Sequence, residues 1–251
     1  MSDWSTTKPS GKKYSYAPRL FEYNHANKFT MQGKACVFHR YKNDLKAWAE
    51  PLIITADDIR LGINAANDHR KAYNLDADEN LFALLNDDVD ISRNIVAIYG
   101  CTTPWYAVIA LAKGAKGVVI VSHRDIQCDD ERIVCAKPDE VKEGFADYVI
   151  SVCEMQAEGL GRFGRKVDAN ADVKAMDVCY KILKENGRLF LSLPCGRDML
   201  VWNMGRIYGR NRLKLMMDGW TLSGTIGWDG KQSKAWTVNE EFTPLFILEK
   251  Q

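Results

Sequence analysis

Two short stretches concentrate the residue types that could do chemistry. The first is Tyr99-Gly100-Cys101-Thr102-Thr103-Pro104, which follows the β-branched run Ile95–Ile98 and precedes Val108, Ile109, Leu111 and Ala112 at helical spacing. A strand that stops at glycine and re-emerges as a helix leaves backbone N–H groups of the turn free to face a ligand. Thr102 and Thr103 add two hydroxyls there. The second stretch begins at Cys153-Glu154, just past the apolar run Ala146–Val152, and continues through Glu158 to Arg162. Glu158 could serve as a proton acceptor or orienter, and Arg162 could grip a carboxylate or phosphate with two donors. A third strand end holds Ser122-His123. Asn203, Arg206 and Tyr208 lie on a polar-aromatic stretch able to wall a substrate pocket. Each group also has a structural reading. Gly100 and Pro104 can simply make a tight turn, Arg162 can pin its own loop through a carbonyl, and the segment of Asn203 and Arg206 can pack over a sheet edge.

The elements that must position these residues follow from the pattern around them. Ile95–Tyr99 and Gly117–Val121 predict two buried parallel strands, with a helix between them that opens at Pro104 and ends in a left-handed turn at Gly114. Such a unit of about thirty residues puts a helix N-terminus at the carboxyl edge of the sheet, where open α/β sheets hold ligands. Asp129–Cys135 predicts a third, short strand after an acidic loop, and Pro138–Gly144 a helical connection. Ala146–Val152 predicts a fourth strand. Asp172 is placed to cap a helix with Val173, Met176, Val178, Cys179, Ile182 and Leu183 on its buried face, stopped by Asn186-Gly187. Gly187–Pro194 predicts a fifth strand, and Gly219–Leu222 and Pro244–Glu249 a final pair. Strands alternating with helices, then a strand pair, predict a mostly parallel sheet with an antiparallel edge and helices on both faces.

Upstream, one helix opens at Thr55 with Asp57 and Asp58 in its first turn and carries Ile59, Ile63, Ala66 and His69. A second starts near Asp76 with Leu81, Phe82, Leu84 and Leu85 on one side. These predict a helical N-terminal extension over residues 21–92, after a loose polar tail over 1–20 and before an α/β domain over 93–251. Leu20–Trp48 is aromatic and basic without a clear period.

The 251 residues are 46% hydrophobic and 27% charged with a formal net charge of +1, an ordinary globular balance. Near-zero charge gives no electrostatic case for nucleic acid or an anionic membrane. No apolar run reaches the roughly twenty residues that span a bilayer. Seven cysteines without a Cys-x-x-Cys pair read as reduced thiols of a cytoplasmic protein. Cys128, Asp129, Asp130 and Cys135 do not have zinc spacing, so no metal is expected.

From Asp147 to Pro194, a strand, a long loop, a helix ending Ile-Leu-Lys-Glu-Asn-Gly and the strand Gly-Arg-Leu-Phe-Leu-Ser-Leu-Pro resemble the second half of a class I S-adenosylmethionine-dependent methyltransferase. More specifically, Glu158–Gly164, Asp172–Met176, Val201–Gly209, Gly219-Trp220 and the loop Tyr99–Tyr106 resemble the domain-of-unknown-function 268 family. The resemblance implies a Rossmann-like, class I methyltransferase-type α/β sheet. It implies S-adenosylmethionine at Tyr99, Gly100, Cys101, Thr102, Ser122, His123, Cys153 and Glu154. Glu158 would be the catalytic base or orienter, and Arg162, Asn203 and Arg206 would address a small-molecule acceptor. The chain departs from the pattern at three places. Cys101, Thr102 and Thr103 replace a glycine-rich loop, Ser122-His123 stands where the second strand usually ends in an acid, and Gln156-Ala157 replaces an acidic residue and a histidine. These departures favour a second reading, a pseudoenzyme of the same fold that binds or regulates. A nicotinamide-dependent oxidoreductase is the weakest alternative, since Gly-x-Gly-x-x-Gly is absent.

Overall fold

A computed structural model describes residues 5–7, 13–15, 23–42, 50–70, 75–236 and 242–250. Seven strands form the main sheet: β1 Ile95–Tyr99, β2 Gly117–Val121, β3 Ile133–Ala136, β4 Ala146–Val152, β5 Leu183–Ser192, β6 Trp220–Ile226 and β7 Leu245–Lys250. Their spatial order is β3-β2-β1-β4-β5-β7-β6. The first five are parallel, and β7 runs antiparallel to both β5 and β6. This is the class I methyltransferase-type α/β sheet expected from the sequence, antiparallel edge included. The order reverses between β1 and β4, so the ends of these two strands diverge into a crevice.

Alternation along β1 sends its side chains to two different cores. Val96 and Ile98 join Val118, Ile120, Ile150 and Phe190 on one face, under the helices α1 Ala56–Asn67, α2 Leu75–Ala83 and α3 Trp105–Ala112. Ala97 and Tyr99 join Val121, Val149, Leu189 and Leu191 on the other, under α4 Ala171–Ile182 and α5 Arg210–Met216. The predicted N-terminal helices thus contribute Ile59, Ala66, Leu81 and Phe82 to the same core as the sheet. Thr55 caps α1 in a reciprocal capping box with Asp58. His69 falls beyond the end of α1, with φ 52°.

Several expectations are corrected. Pro138–Gly144 is a turn, because Gly144 and Phe145 donate their N–H groups to Lys181 and Ile182 at the end of α4 instead of to a local helix. Asp172 does not cap α4: Asn170 holds that position, and Asp172 lies in the first turn facing inward. The helix ends at Ile182, because Leu183 already pairs with Ala146. The strand then breaks register before Arg188, with Asn186 at φ 62° in the break. Pro104 sits one place before the first helical residue, Trp105.

Within the segment that showed no period, the short helix Tyr23–Phe29 precedes the strand Cys36–His39, which pairs in parallel with Met199–Trp202. Gly205–Ile207 completes this second sheet. Trp48 lies outside the described residues, as does most of the expected tail, of which Ser5–Thr7 and Lys13–Ser15 pair antiparallel.

Candidate functional site

The carboxyl ends of β1 and β4 open onto a cleft of about 300 Å³. One wall is the turn Gly100–Thr103 with Tyr106 behind it. The other is Val152–Glu154, Gln156, Ala157, Arg162 and Phe163. Volume and mixed lining are in the range of small-molecule sites, on the order of 300–1,000 Å³.

Gly100 adopts φ +84°, and a Cβ there would stand 2.4 Å from Glu154 Cγ and 2.5 Å from its Cβ. Only glycine accepts both that backbone and that neighbour. Glu154 Oε1 accepts from the Thr102 N–H at 3.2 Å and also from the Thr102 hydroxyl. Burial pushes the Glu154 carboxyl above its ordinary range, opposed by Arg165 and by the Thr102 hydroxyl. Cys101 is buried, its thiol turned to Thr103 O at 3.2 Å, and burial raises its pKa far out of the reactive range. Cys153 and Phe163, both in the cleft wall, hold positive φ values of 53° and 61°. Such strain in side-chain-bearing residues gathers at functional sites.

Behind the turn, Asp78 on α2 is fully buried and accepts from Trp105 Nε1 and from the Tyr106 hydroxyl, each at 3.1 Å. Burial, reinforced by the Asp78 charge, raises the Tyr106 phenol well above its usual value.

The loop after β4 crosses the end of β1. Glu158 is buried and its Oε1 accepts from Arg165 at 2.6 Å, while Oε2 lies 3.8 Å from His123 Nε2 at the end of β2. Desolvation lowers the His123 pKa against the upward pull of Glu158, which favours the neutral imidazole at neutral pH. Ser122 is buried, and its Oγ accepts from the Arg124 N–H at 3.1 Å. Tyr99 packs under the loop, its phenol raised by burial and then by Glu158.

Of the residues singled out in the sequence, the structure brings Gly100, Cys101, Thr102, Cys153, Glu154 and Arg162 into one cleft. Tyr99, Ser122, His123 and Glu158 sit beside it, over the ends of β1 and β2, and do not line it. Arg206 is turned away. It is buried and donates to the carbonyls of Gln156, Glu158 and Ala169 at 3.3, 2.6 and 3.3 Å. Asn203, at φ 64°, accepts from the Lys42 N–H at 2.7 Å. Arg162 donates to Met204 O at 3.1 Å and lies 4.5 Å over the Phe163 ring. Asp172 binds Arg212, with Arg206 Nε at 3.5 Å and the Tyr208 hydroxyl at 3.2 Å. These contacts pin the loop from residue 156 to 169 in place.

The sequence reading missed Asp78, Arg165 and Phe163. For Asp78 a signal existed: it shares a helical face with Leu81, Phe82 and Leu85 at spacings of three, four and seven, so it had to point into the core. Among the described residues, no group of three or more His, Cys, Asp or Glu side chains could hold a metal ion.

Among solved structures, the chain resembles an S-adenosylmethionine dependent methyltransferase from Mesorhizobium loti, with 10% identity and a TM-score of 0.46 over 67% of this chain and 96% of the other. It also resembles a geranyl diphosphate methyltransferase in complex with SAM, with 11% identity and a TM-score of 0.47 over 78% of this chain and 90% of the other. No curated protein matches the chain. The family model described as "Caenorhabditis protein of unknown function, DUF268" matches residues 94–243, which is more than half of the sequence, and the chain belongs to that family.

Proposed function

We propose that the protein is an S-adenosylmethionine-dependent methyltransferase acting on a small-molecule acceptor. The observation that carries this reading is the cleft itself, where the Gly100 turn and the end of β4 face each other at the reversal point of a class I methyltransferase-type sheet.

The residues present fit the cationic end of that cofactor. Glu154 offers a carboxylate whose charged form burial disfavours, and an incoming cation relieves that penalty. The Thr102 N–H and hydroxyl are bonded to Glu154 here and become donors for a ligand carboxylate only when Glu154 turns to the cation. At the β2 end, the loop brings an acid, Glu158, to face His123. When bound, the cofactor supplies an activated methyl group. The chain's part is to hold donor and acceptor in line and keep water out, for which positioning alone lowers barriers strongly. Arg162 and Phe163 form the wall on the acceptor side. Glu158, paired with Arg165, is suited to orienting His123 rather than to taking a proton itself. The cysteine usage favours a cytoplasmic setting.

Two observations favour the pseudoenzyme reading: Glu154 already occupies the Thr102 donors, and Ser122 at the β2 end is covered. Calorimetric titration with S-adenosylmethionine and S-adenosylhomocysteine separates the two. The methyltransferase reading expects saturable heat that Gly100→Ala abolishes and Ser122→Ala barely changes. No heat at millimolar ligand overturns it and leaves the pseudoenzyme.

A further inference from the structure

The cleft wall depends on a residue outside the part of the chain that the family model matches. That part starts at residue 94, yet the ring of Tyr106 is held by Asp78 on α2. Asp78 is fully buried and accepts from two consecutive residues at the start of α3, Trp105 and Tyr106. A buried carboxylate is costly unless well bonded, so a hydrophobic residue at this helix position would serve packing better. With its hydroxyl donating to Asp78, Tyr106 offers the cleft a ring and not a donor. A phenol that donates to a carboxylate has a more electron-rich ring, and Glu154 stands across the same cleft. Two arginines of this region are engaged with other groups: Arg165 with Glu158, Arg162 with Met204 O and the Phe163 ring. The Tyr106 wall therefore lies between two carboxylates, an arrangement that attracts a cation to an aromatic face.

We propose that Asp78 is a positioning residue that fixes Tyr106 as an aromatic wall and, together with Glu154, makes the cleft favour a cationic ligand group over its neutral counterpart. The proposal rests on the cofactor reading of the cleft. There it assigns the Tyr106 wall to the sulfonium, which S-adenosylmethionine carries and S-adenosylhomocysteine lacks.

The test compares both ligands by calorimetry on the full chain and on the Asp78→Asn and Tyr106→Phe variants. The two ligands share every other charged group, so the ratio of their affinities isolates the sulfonium. Asp78→Asn is expected to shift that ratio toward S-adenosylhomocysteine by about fivefold, the size of a partly desolvated cation–π contact. Tyr106→Phe, which removes one hydroxyl and spares the core, shifts it the same way by less. The indole N–H resonance of Trp105, assigned with Trp105→Phe, reports whether Asp78→Asn keeps the local fold. Equal losses for both ligands, or an unchanged ratio, overturn the proposal, because a merely structural Asp78 weakens both alike. Silence with both ligands in the unaltered protein overturns the cofactor reading beneath it, a separate and distinguishable failure.

Discussion

At the scale of single residues, the site turns on Gly100 and Glu154, which occupy adjoining space. Gly100→Ala adds a Cβ into the Glu154 side chain and forces an L-residue to φ +84°. It is expected to cost about 1–3 kcal/mol in urea unfolding. Glu154 also sets a pH dependence. Its pKa is raised in the folded state, so the folded protein holds the proton more tightly than the unfolded chain. Stability is therefore fully present at acid pH and falls as pH rises through the raised value. Glu154→Gln should raise the melting midpoint at neutral pH and bring no gain below about pH 4, where both states are protonated. A gain that persisted at acid pH would contradict this assignment. Gly100 was legible in the sequence as the end of a strand before a helix. Its contact with Glu154 was not, because 54 positions separate the two and only the pairing of β1 with β4 joins them.

Among elements, the loop after β4 is held by groups that come from elsewhere. Asp172 on α4 and Arg212 on α5 form a buried pair that also reaches Arg206, and Arg206 in turn ties three loop carbonyls. Asp172→Asn removes one side of a buried ion pair and should cost about 3–5 kcal/mol in equilibrium unfolding. By contrast, Thr55→Ala, which breaks the α1 capping box at the surface, should cost only about 1 kcal/mol. If the two variants were equally mild, the buried network would not be what holds the loop. The strands of the main sheet were readable from their β-branched runs, and α1 from its acidic first turn. Asp172 misled as a cap because an acid at a helix start has the same signature whether it faces solvent or, as here, two buried arginines. Arg206 and Asn203 misled in the same way: polar residues near a motif suggest ligand contact, whereas these spend their hydrogen bonds on the chain.

For the whole molecule, both faces of the sheet are covered, one of them by α3 together with two helices that precede residue 94. A chain begun at residue 94 would expose Val108 and Trp105, against which Gly62 of α1 and Phe82 of α2 now pack. Such a chain should be aggregated or bind a hydrophobic dye in solution, and a stable monomer with a cooperative melt would contradict this packing. The sheet order, with its reversal between β1 and β4, opens at their ends the crevice in which open α/β sheets usually hold ligands. The most direct check is hydrogen–deuterium exchange of the full chain with and without saturating S-adenosylmethionine. Added protection is expected in peptides covering residues 99–106 and 152–158, with the outer strands β3 and β6 unchanged. Protection elsewhere, or none at a ligand concentration that saturates by calorimetry, would contradict the placement of the site in the cleft between Gly100 and Glu154.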